Sequence, residues 1–345
     1  MDEIKTLIFR TDRLGDFIIS CPFIMSYKKK FPKTKITLVS SEYNANYIRN
    51  FHFINETVPL KTVIKFLPKL LTMIKMILYL RKTKFKDIIV LDGKKRSFFI
   101  SLFLYGTKSI LLQSRKLQLL SRIFNYKNVI NYEIQNQLKN FSYLANLLNF
   151  NIIKKDIDIY QNYEFKKNFH FKKKYIIIHL DEKWYSDHYY TDFTDINPDS
   201  LQIDIFIKKI IEVVKEDFEI VITTGSKKIE KLDNFIFGFK TTDHTHFTKI
   251  INNTNITHIK KTSFNDLESL VRKSSLLVCC EGGISHVSYN CDVNTIAFYE
   301  KNRLEHTEFW TGHMKKISLY PRKNMRDLLA DNDFFNLLKT KLRQV

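Results

Sequence analysis

The first forty residues alternate between two kinds of periodicity, and that alternation fixes the fold class. TLIFR (6–10) is a short apolar run, TDRLGD is polar and carries a glycine, FIISCPFIMSYKKKF has helical spacing, and KITLVSS (35–41) is a second apolar run. Strand, loop, helix and strand in that order make a βαβ unit, which requires a parallel sheet with a right-handed crossover. Pro22 permits two placements: the first turn of a helix capped by Ser20, or a kink in a helix that starts at Asp16. DIIVLDG (87–93) reads as a further buried strand, ending in an acid and a glycine.

The pattern lapses over 150–174, where the chain becomes charged and loses its period, as an interdomain segment would. It then restarts. YIIIHLD (175–181) is a strand, LQIDIFIKKIIEVVKED a helix capped by Asp199 or Ser200, FEIVITTG (218–225) a strand, and a charged helix begins near 227. ITHIKKT, the helix FNDLESLVRK after Ser263, the strand SLLVCCE, the helix ISHVSYN and the strand NTIAFYE complete the second half, and MRDLLADNDFFNLLKTKLRQ reads as a C-terminal helix. Two successive α/β halves predict a doubly wound, two-domain protein. The 345 residues, 44% hydrophobic and 14% aromatic, are enough for two cores.

Partners and compartment are read from charge and cysteine usage. A formal charge of +20 suits a polyanionic partner, namely nucleic acid, an anionic membrane surface or phosphorylated substrates; it equally suits a genome rich in Lys, Ile, Asn, Phe and Tyr. Cys21, Cys279, Cys280 and Cys291 form no C-x-x-C, so neither a disulfide framework nor a zinc site is indicated. The N-terminus carries acids early and too short an apolar stretch for a signal peptide. No segment offers ~18 uninterrupted apolar residues for a membrane span. A cytoplasmic location is expected.

KTVIKFLPKLLTMIKMILYLRK (61–82) supports two readings. Lys61, Lys65, Lys69 and Lys75 fall within roughly a third of a helical wheel, opposite Phe66, Leu67, Leu70, Ile74 and Ile77. One reading is a basic amphipathic helix lying on an anionic bilayer. The other, preferred because Pro68 interrupts the pattern and the next strand needs a cover, is a sheet-covering helix with a solvated lysine face.

In doubly wound sheets, ligands bind beyond the carboxyl ends of the strands, and Gly15, Gly225, Gly282 and Gly283 all fall at strand-to-helix turns of that kind. A helix start offers N–H groups and a partial positive charge. EGGISH (281–286) can therefore present amides to a phosphate flanked by Glu281 and His286; it can also be a tight packing turn followed by a structural histidine. Asp16, at the mouth of the first turn, suits a general base and equally an N-cap. No P-loop, G-x-G-x-x-G, H-E-x-x-H or G-x-S-x-G occurs, which leaves P-loop, dinucleotide, zincin and α/β-hydrolase chemistry without a foothold. Helix-turn-helix and ribonucleoprotein signatures are absent too, so nucleic acid is not expected.

Taken in order, several motifs resemble the heptosyltransferase family, glycosyltransferase family 9. They are LGDFIISCP (14–22) with KKKFPKTKITLV, LRKTKFKDIIVLDGKKRSFF (80–99), HLDEKW (179–184), FNDLESLVRKSSLLVCC and EGGISHVS (281–288), spanning most of residues 5–300. Tyr185 stands where the family usually has Pro, and Glu281 where it usually has Asp. The resemblance implies a GT-B architecture of two Rossmann-like domains facing across a cleft. These are an acceptor domain at 1–160, a nucleotide-sugar domain at 161–324, and a C-terminal helix at 325–345 crossing back to the first. It implies metal-independent transfer, with inversion, of a sugar such as heptose from an ADP-sugar to an anionic glycan such as a lipopolysaccharide core. No cofactor is implied, and the inner face of the cytoplasmic membrane is a place to work. Asp16 would be the base. Lys183, Thr224, Gly225, Glu230, Glu281, Gly282, Gly283 and His286 would hold the donor, and Lys94, Lys95 and Arg96 the acceptor's phosphates. An epimerase of the same fold, a transferase using another nucleotide-sugar and a non-catalytic basic binding protein remain as alternatives.

Overall fold

The computed structural model describes residues 4–63, 65–112, 115–131, 136–152, 169–184, 203–225, 238–241, 246–260, 262–322 and 325–345. Glu230, Tyr185, the caps Asp199 and Ser200, the expected helix near 227 and most of the expected interdomain segment lie outside the described residues. The chain divides into two compact units, Met1–Glu164 and Phe165–Val345.

The first unit runs β1 (Lys5–Arg10), α1 (Leu14–Lys30), β2 (Lys35–Ser41), α2 (Glu42–Ile48), β3 (Glu56–Leu60), α3 (Phe66–Leu80), β4 (Asp87–Val90), α4 (Lys95–Leu102), β5 (Thr107–Leu112), α5 (Arg115–Ile123), β6 (Asn128–Asn131) and α6 (Gln137–Leu147). Its strands order as β3-β2-β1-β4-β5-β6, and every neighbouring pair is parallel. Helices cover both faces of such a sheet, so its central strands are apolar throughout and do not alternate. Leu7, Ile8 and Phe9 of β1 and Ile88, Ile89 and Val90 of β4 are all fully buried. Strand order reverses between β1 and β4, which opens a crevice at their carboxyl ends.

α1 begins at Leu14 and continues through Pro22, so of the two placements the one inside a longer helix holds, with the helix starting two residues before Asp16. The turn before the proline is held by side chains instead: Ser20 Oγ and Cys21 Sγ both donate to the Phe17 carbonyl, at 2.7 and 3.4 Å. α3 does not cover the sheet with its whole apolar face. Pro68 sits in its first turn, where a missing N–H is harmless, and only Met76 and Leu80 are buried. Phe66, Leu67, Leu70, Leu71, Ile74 and Leu78 are exposed.

The second unit runs β7 (Tyr175–Leu180), a 3₁₀ turn at Glu182–Trp184, α7 (Ile203–Val214), β8 (Glu219–Thr224), β9 (Lys240–Thr241), β10 (His246–Ile251), β11 (Thr254–Ile259), α8 (Phe264–Lys273), β12 (Leu276–Cys280), α9 (Gly283–Asn290), β13 (Asn294–Tyr299), α10 (Leu304–Thr311), β14 (Ile317–Pro321), α11 (Met325–Leu329) and α12 (Asn332–Arg343). The sheet order is β14-β13-β12-β7-β8-β11-β10-β9, parallel from β14 to β11 with an antiparallel hairpin at the β9 edge. The order reverses about β7, between β12 and β8. α8 starts at Ser263, whose Oγ accepts from Asp266 N at 3.1 Å, as its sequence predicts.

α12 packs on α7 of its own unit, because Phe334, Phe335 and Leu338 fill the same core as Phe206, Ile207 and Ile210. None of the four cysteines is disulfide-bonded. Cys21, Cys279 and Cys280 are buried, and Cys291, just past α9, is half-buried.

Candidate functional site

In the first unit, polar side chains gather where β1 and β4 diverge. Arg10, the last residue of β1, is fully buried, and a buried guanidinium requires partners on all its edges. Its Nη1 donates to the Leu91 carbonyl at 2.8 Å and lies 3.3 Å from Asp12 Oδ2; its Nε donates to the Asp16 carbonyl at 2.8 Å. Asp92 clamps the other side of the crevice. Its Oδ2 accepts from Thr11 N, Thr11 Oγ1 and Ser97 Oγ at 3.1, 2.6 and 2.6 Å, and its Oδ1 from Lys94 N at 3.1 Å. The loops after β1 and β4 are thereby fixed to one another.

Asp16 stands at this crevice with its two oxygens divided between two tasks. Oδ2 accepts from Arg13 N at 3.0 Å and caps α1, while Oδ1 lies 3.9 Å from Arg10 Nη2. The N-cap of α1 is Arg13, and Asp16 stands inside the first turn, so the N-cap reading of Asp16 gives way to a capping-box contact with Arg13 N that leaves Oδ1 out of the cap. Asp12 is the perturbed carboxyl here: burial pushes it up to about 7, with repulsion from Asp16 and Asp92 adding to it, against the pull of Arg10 and Lys94.

The three basic residues of KKR have different neighbours. Lys94 reaches back to the Thr11 carbonyl at 3.5 Å, beside Asp16's loop. Arg96 Nη1 donates to the Lys61 carbonyl at 3.2 Å, and Lys95 with Arg96 lines a groove between α3 and α4.

The second unit repeats the arrangement at its own reversal point, where the loops after β7 and β12 meet. Lys183 Nζ donates to the Glu281 carbonyl at 2.5 Å and lies 3.9 Å from Asp181 Oδ2. Asp181 Oδ1 accepts from Lys183 N at 3.2 Å, and Arg322 Nη1 donates to the Lys183 carbonyl. Burial raises the Asp181 carboxyl, chiefly opposed by Lys183. Trp184 Nε1 donates to the His179 carbonyl at 2.8 Å, which pins the turn that carries Lys183.

Gly282 is small for a reason visible here: a Cβ at this position would overlap Lys183 Nζ. The turn is closed by Ser285, whose Oγ donates to the Gly282 carbonyl at 2.7 Å and accepts from Gly282 N at 3.2 Å. The amides of Ser285 and His286 point back to the Gly282 carbonyl at 3.1 and 3.4 Å. Those of Gly283 and Ile284 are the ones at the helix mouth, where the axis dipole favours an anion. A lysine ammonium and a helix start thus converge on one turn, which suits the phosphates of a nucleotide.

Lys183, Glu281, Gly282 and Gly283 are brought together. Thr224 and Gly225 end the neighbouring strand, with Gly225 N donating to the Leu180 carbonyl at 3.2 Å. His286 is carried on α9 and is buried. Sequence reasoning missed Arg10, Asp12, Asp92, Asp181 and Arg322. Asp181 and Asp92 had a signal, an acid closing an apolar strand; Arg322 follows an edge strand in no motif. Among the described residues, no group of three or more His, Cys, Asp or Glu could hold a metal ion.

No family model and no curated protein sequence matches the chain. Solved structures do. The Escherichia coli heptosyltransferase WaaC with ADP-2-deoxy-2-fluoro heptose is similar at a TM-score of 0.70 and 14% identity, covering 99% of both chains. A glycosyl transferase family 9 protein from Veillonella parvula is similar at a TM-score of 0.67 and 12% identity, over 100% of this chain and 98% of that one. The UDP-GlcNAc 2-epimerase of Methanocaldococcus jannaschii is similar at a TM-score of 0.52 and 12% identity, over 99% of this chain and 91% of that one. With two doubly wound units, each bearing its polar cluster at the strand reversal, the chain has the fold of the glycosyltransferase family 9 heptosyltransferases.

Proposed function

We propose that the protein is a glycosyltransferase that moves a sugar, heptose in the first instance, from an ADP-sugar to a hydroxyl of a bacterial surface glycan, with inversion and without a metal. The observation that carries this reading is the Lys183–Glu281 contact, which seats an ammonium against the first turn of α9. A departing diphosphate needs counter-charge, and Lys183 with the Gly283 and Ile284 amides supplies it from the chain itself. The heptose derivative bound to WaaC lends support to the choice of sugar.

In the reaction, the acceptor hydroxyl gives its proton to Asp16 Oδ1, the oxygen not engaged by the α1 cap. The acceptor oxygen attacks the anomeric carbon from the face opposite the diphosphate. The carbon–oxygen bond to the diphosphate breaks, and its electron pair leaves with the nucleotide. Lys94, whose contact with the Thr11 carbonyl puts it beside the loop that carries Asp16, meets a phosphate of the acceptor in this reading.

Calorimetric titration with ADP, UDP, GDP and CDP, with and without Mg²⁺, tests the donor assignment. Selective ADP binding that is unchanged by Mg²⁺ is the expected result. Preference for another nucleotide would move the sugar assignment, and conversion of a nucleotide-sugar with no acceptor present would replace transfer by epimerisation. Binding of none of the four would overturn the proposal.

A further inference from the structure

α3 is anchored by one edge only. Met76 and Leu80 enter the core, Met73 and Ile77 pack against it, and the remaining apolar side chains face outward. Phe66 is 81% exposed, Leu67 64% and Leu78 58%. The patch continues across the groove between α3 and α4, of about 660 Å³, onto Phe99 and Phe103. An exposed apolar surface of this extent on one element marks a docking site.

Its charge decides what docks. The groove is bordered by Lys69, Arg81, Lys95 and Arg96, and among the described residues no carboxylate lines it. Lys65, the N-cap of α3, and Lys75, within it, are exposed. A second copy of the chain would bring these cations against one another across a two-fold contact, on a molecule already at +20. Nucleic acid would meet leucines and isoleucines, which offer bases no stacking platform. A bilayer with anionic headgroups satisfies both halves, acyl chains taking the Phe and Leu side chains while the headgroups meet the Lys and Arg. The 15 residues of α3 span roughly 22 Å at 1.5 Å per residue, short of the hydrocarbon thickness, so the helix lies in the interface plane. Among the described residues, no helix is long and apolar enough to cross a membrane.

We propose that the α3–α4 face docks the protein on an anionic lipid bilayer, with α3 lying flat in the headgroup layer. α3 and α4 both begin at the carboxyl edge of the sheet, the edge that carries Asp16 and Lys94. Docking through them sets that edge beside the membrane surface, where a lipid-linked anionic glycan presents its hydroxyls. The docking itself does not depend on the transferase reading.

Vesicle co-sedimentation tests it, using phosphatidylcholine with and without phosphatidylglycerol. Wild type is expected to bind the anionic vesicles at least about tenfold more strongly than the neutral ones, with high salt reducing the difference. Leu67→Ser/Leu70→Ser/Leu78→Ser and, separately, Lys69→Glu/Lys95→Glu should each weaken anionic-vesicle binding about tenfold or more. Lys273→Glu/Lys315→Glu, the same charge change on exposed residues of the second unit, should retain most of it. Absence of wild-type binding to anionic vesicles would overturn the proposal. So would a triple-serine variant that binds like wild type, or a concentration-dependent dimer that the triple variant disperses. Because the substituted side chains are exposed, thermal unfolding should be unchanged; the charge variant stands as the test if the serine variant unfolds.

Discussion

Lys183 and Glu281 are joined across two strand-to-helix turns by a 2.5 Å hydrogen bond from the ammonium to a backbone carbonyl. The acceptor is main chain, so the point at which the lysine docks is set by the path of the β12–α9 turn and not by the rotamer of a partner side chain. Changing the turn and changing the lysine should therefore have related effects on ligand binding. Removing the ammonium in Lys183→Ala forfeits a charge-assisted contact worth about 1.5–3 kcal/mol, so nucleoside diphosphate affinity should fall on the order of ten- to a hundredfold. Calorimetry measures this directly, and unaltered affinity would mean that the phosphates bind elsewhere.

Gly282→Ala separates packing from binding. The added Cβ collides with the far end of a flexible side chain, so the lysine swings away and the fold is kept. The melting temperature should hold within a few degrees, whereas nucleotide affinity should drop roughly tenfold, as for a weakened charged contact. A variant that loses stability and keeps its affinity would show the glycine to be a packing device.

Asp16 carries a cap on one oxygen and the proposed base on the other, and two substitutions distinguish them. Asp16→Asn retains an oxygen for Arg13 N but no basic carboxylate; transfer should fall about 100-fold or more while stability is little changed. Asp16→Ala removes both, adding a loss of about 1 kcal/mol for the hydrogen bond to Arg13 N. Transfer rates and denaturation midpoints on the same pair give both readings. Asp16→Asn turning over at the wild-type rate would transfer the role of base to another group.

The raised Asp12 carboxyl gives a pH signature. Its folded value of about 7 lies above the ordinary 3.8, so the folded state holds this proton more tightly than the unfolded chain does. Stability from this group is complete at low pH and declines as pH rises from about 4 to about 7, then levels. Asp12→Asn has no such proton. Its stability relative to wild type should increase over that interval by at most a few kcal/mol, read from denaturant midpoints at several pH values. A constant difference across the interval would mean that Arg10 keeps Asp12 ionised throughout.

The central strands were legible because parallel strands buried on both faces must be apolar without a break. LIF of β1, IIV of β4, YIII of β7 and LLVCC of β12 are such runs, and the glycines after β1, β4 and β12 marked the polar clusters. Edge strands obey no such rule. β3 contains Pro59, β6 has four residues, and every residue of β14 is partly exposed, so none presents a continuous run. The β10–β11 hairpin did leave a trace: Asn252 and Asn253 both take positive φ, 48° and 61°, in a two-residue turn that favours asparagine. Among the site residues, Lys183 and the glycines were found because they sit in motifs. Arg10 and Arg322 were not, because what makes them matter is a backbone carbonyl 81 residues away for one and 139 for the other. The amphipathic pattern of α3 was read correctly, but which side faces the sheet depends on β3 and α4, and neither is local to it.

The placement of the four thiols has a practical consequence. Three are enclosed, and Cys279 and Cys280, within β12, are driven towards their neutral, unreactive form by that enclosure. Cys291 alone is half-open to solvent, and it terminates the same helix whose opening turn holds Gly283. A maleimide dye added to the native chain will therefore mark one end of α9, so that fluorescence can follow occupancy at the other without any engineered label.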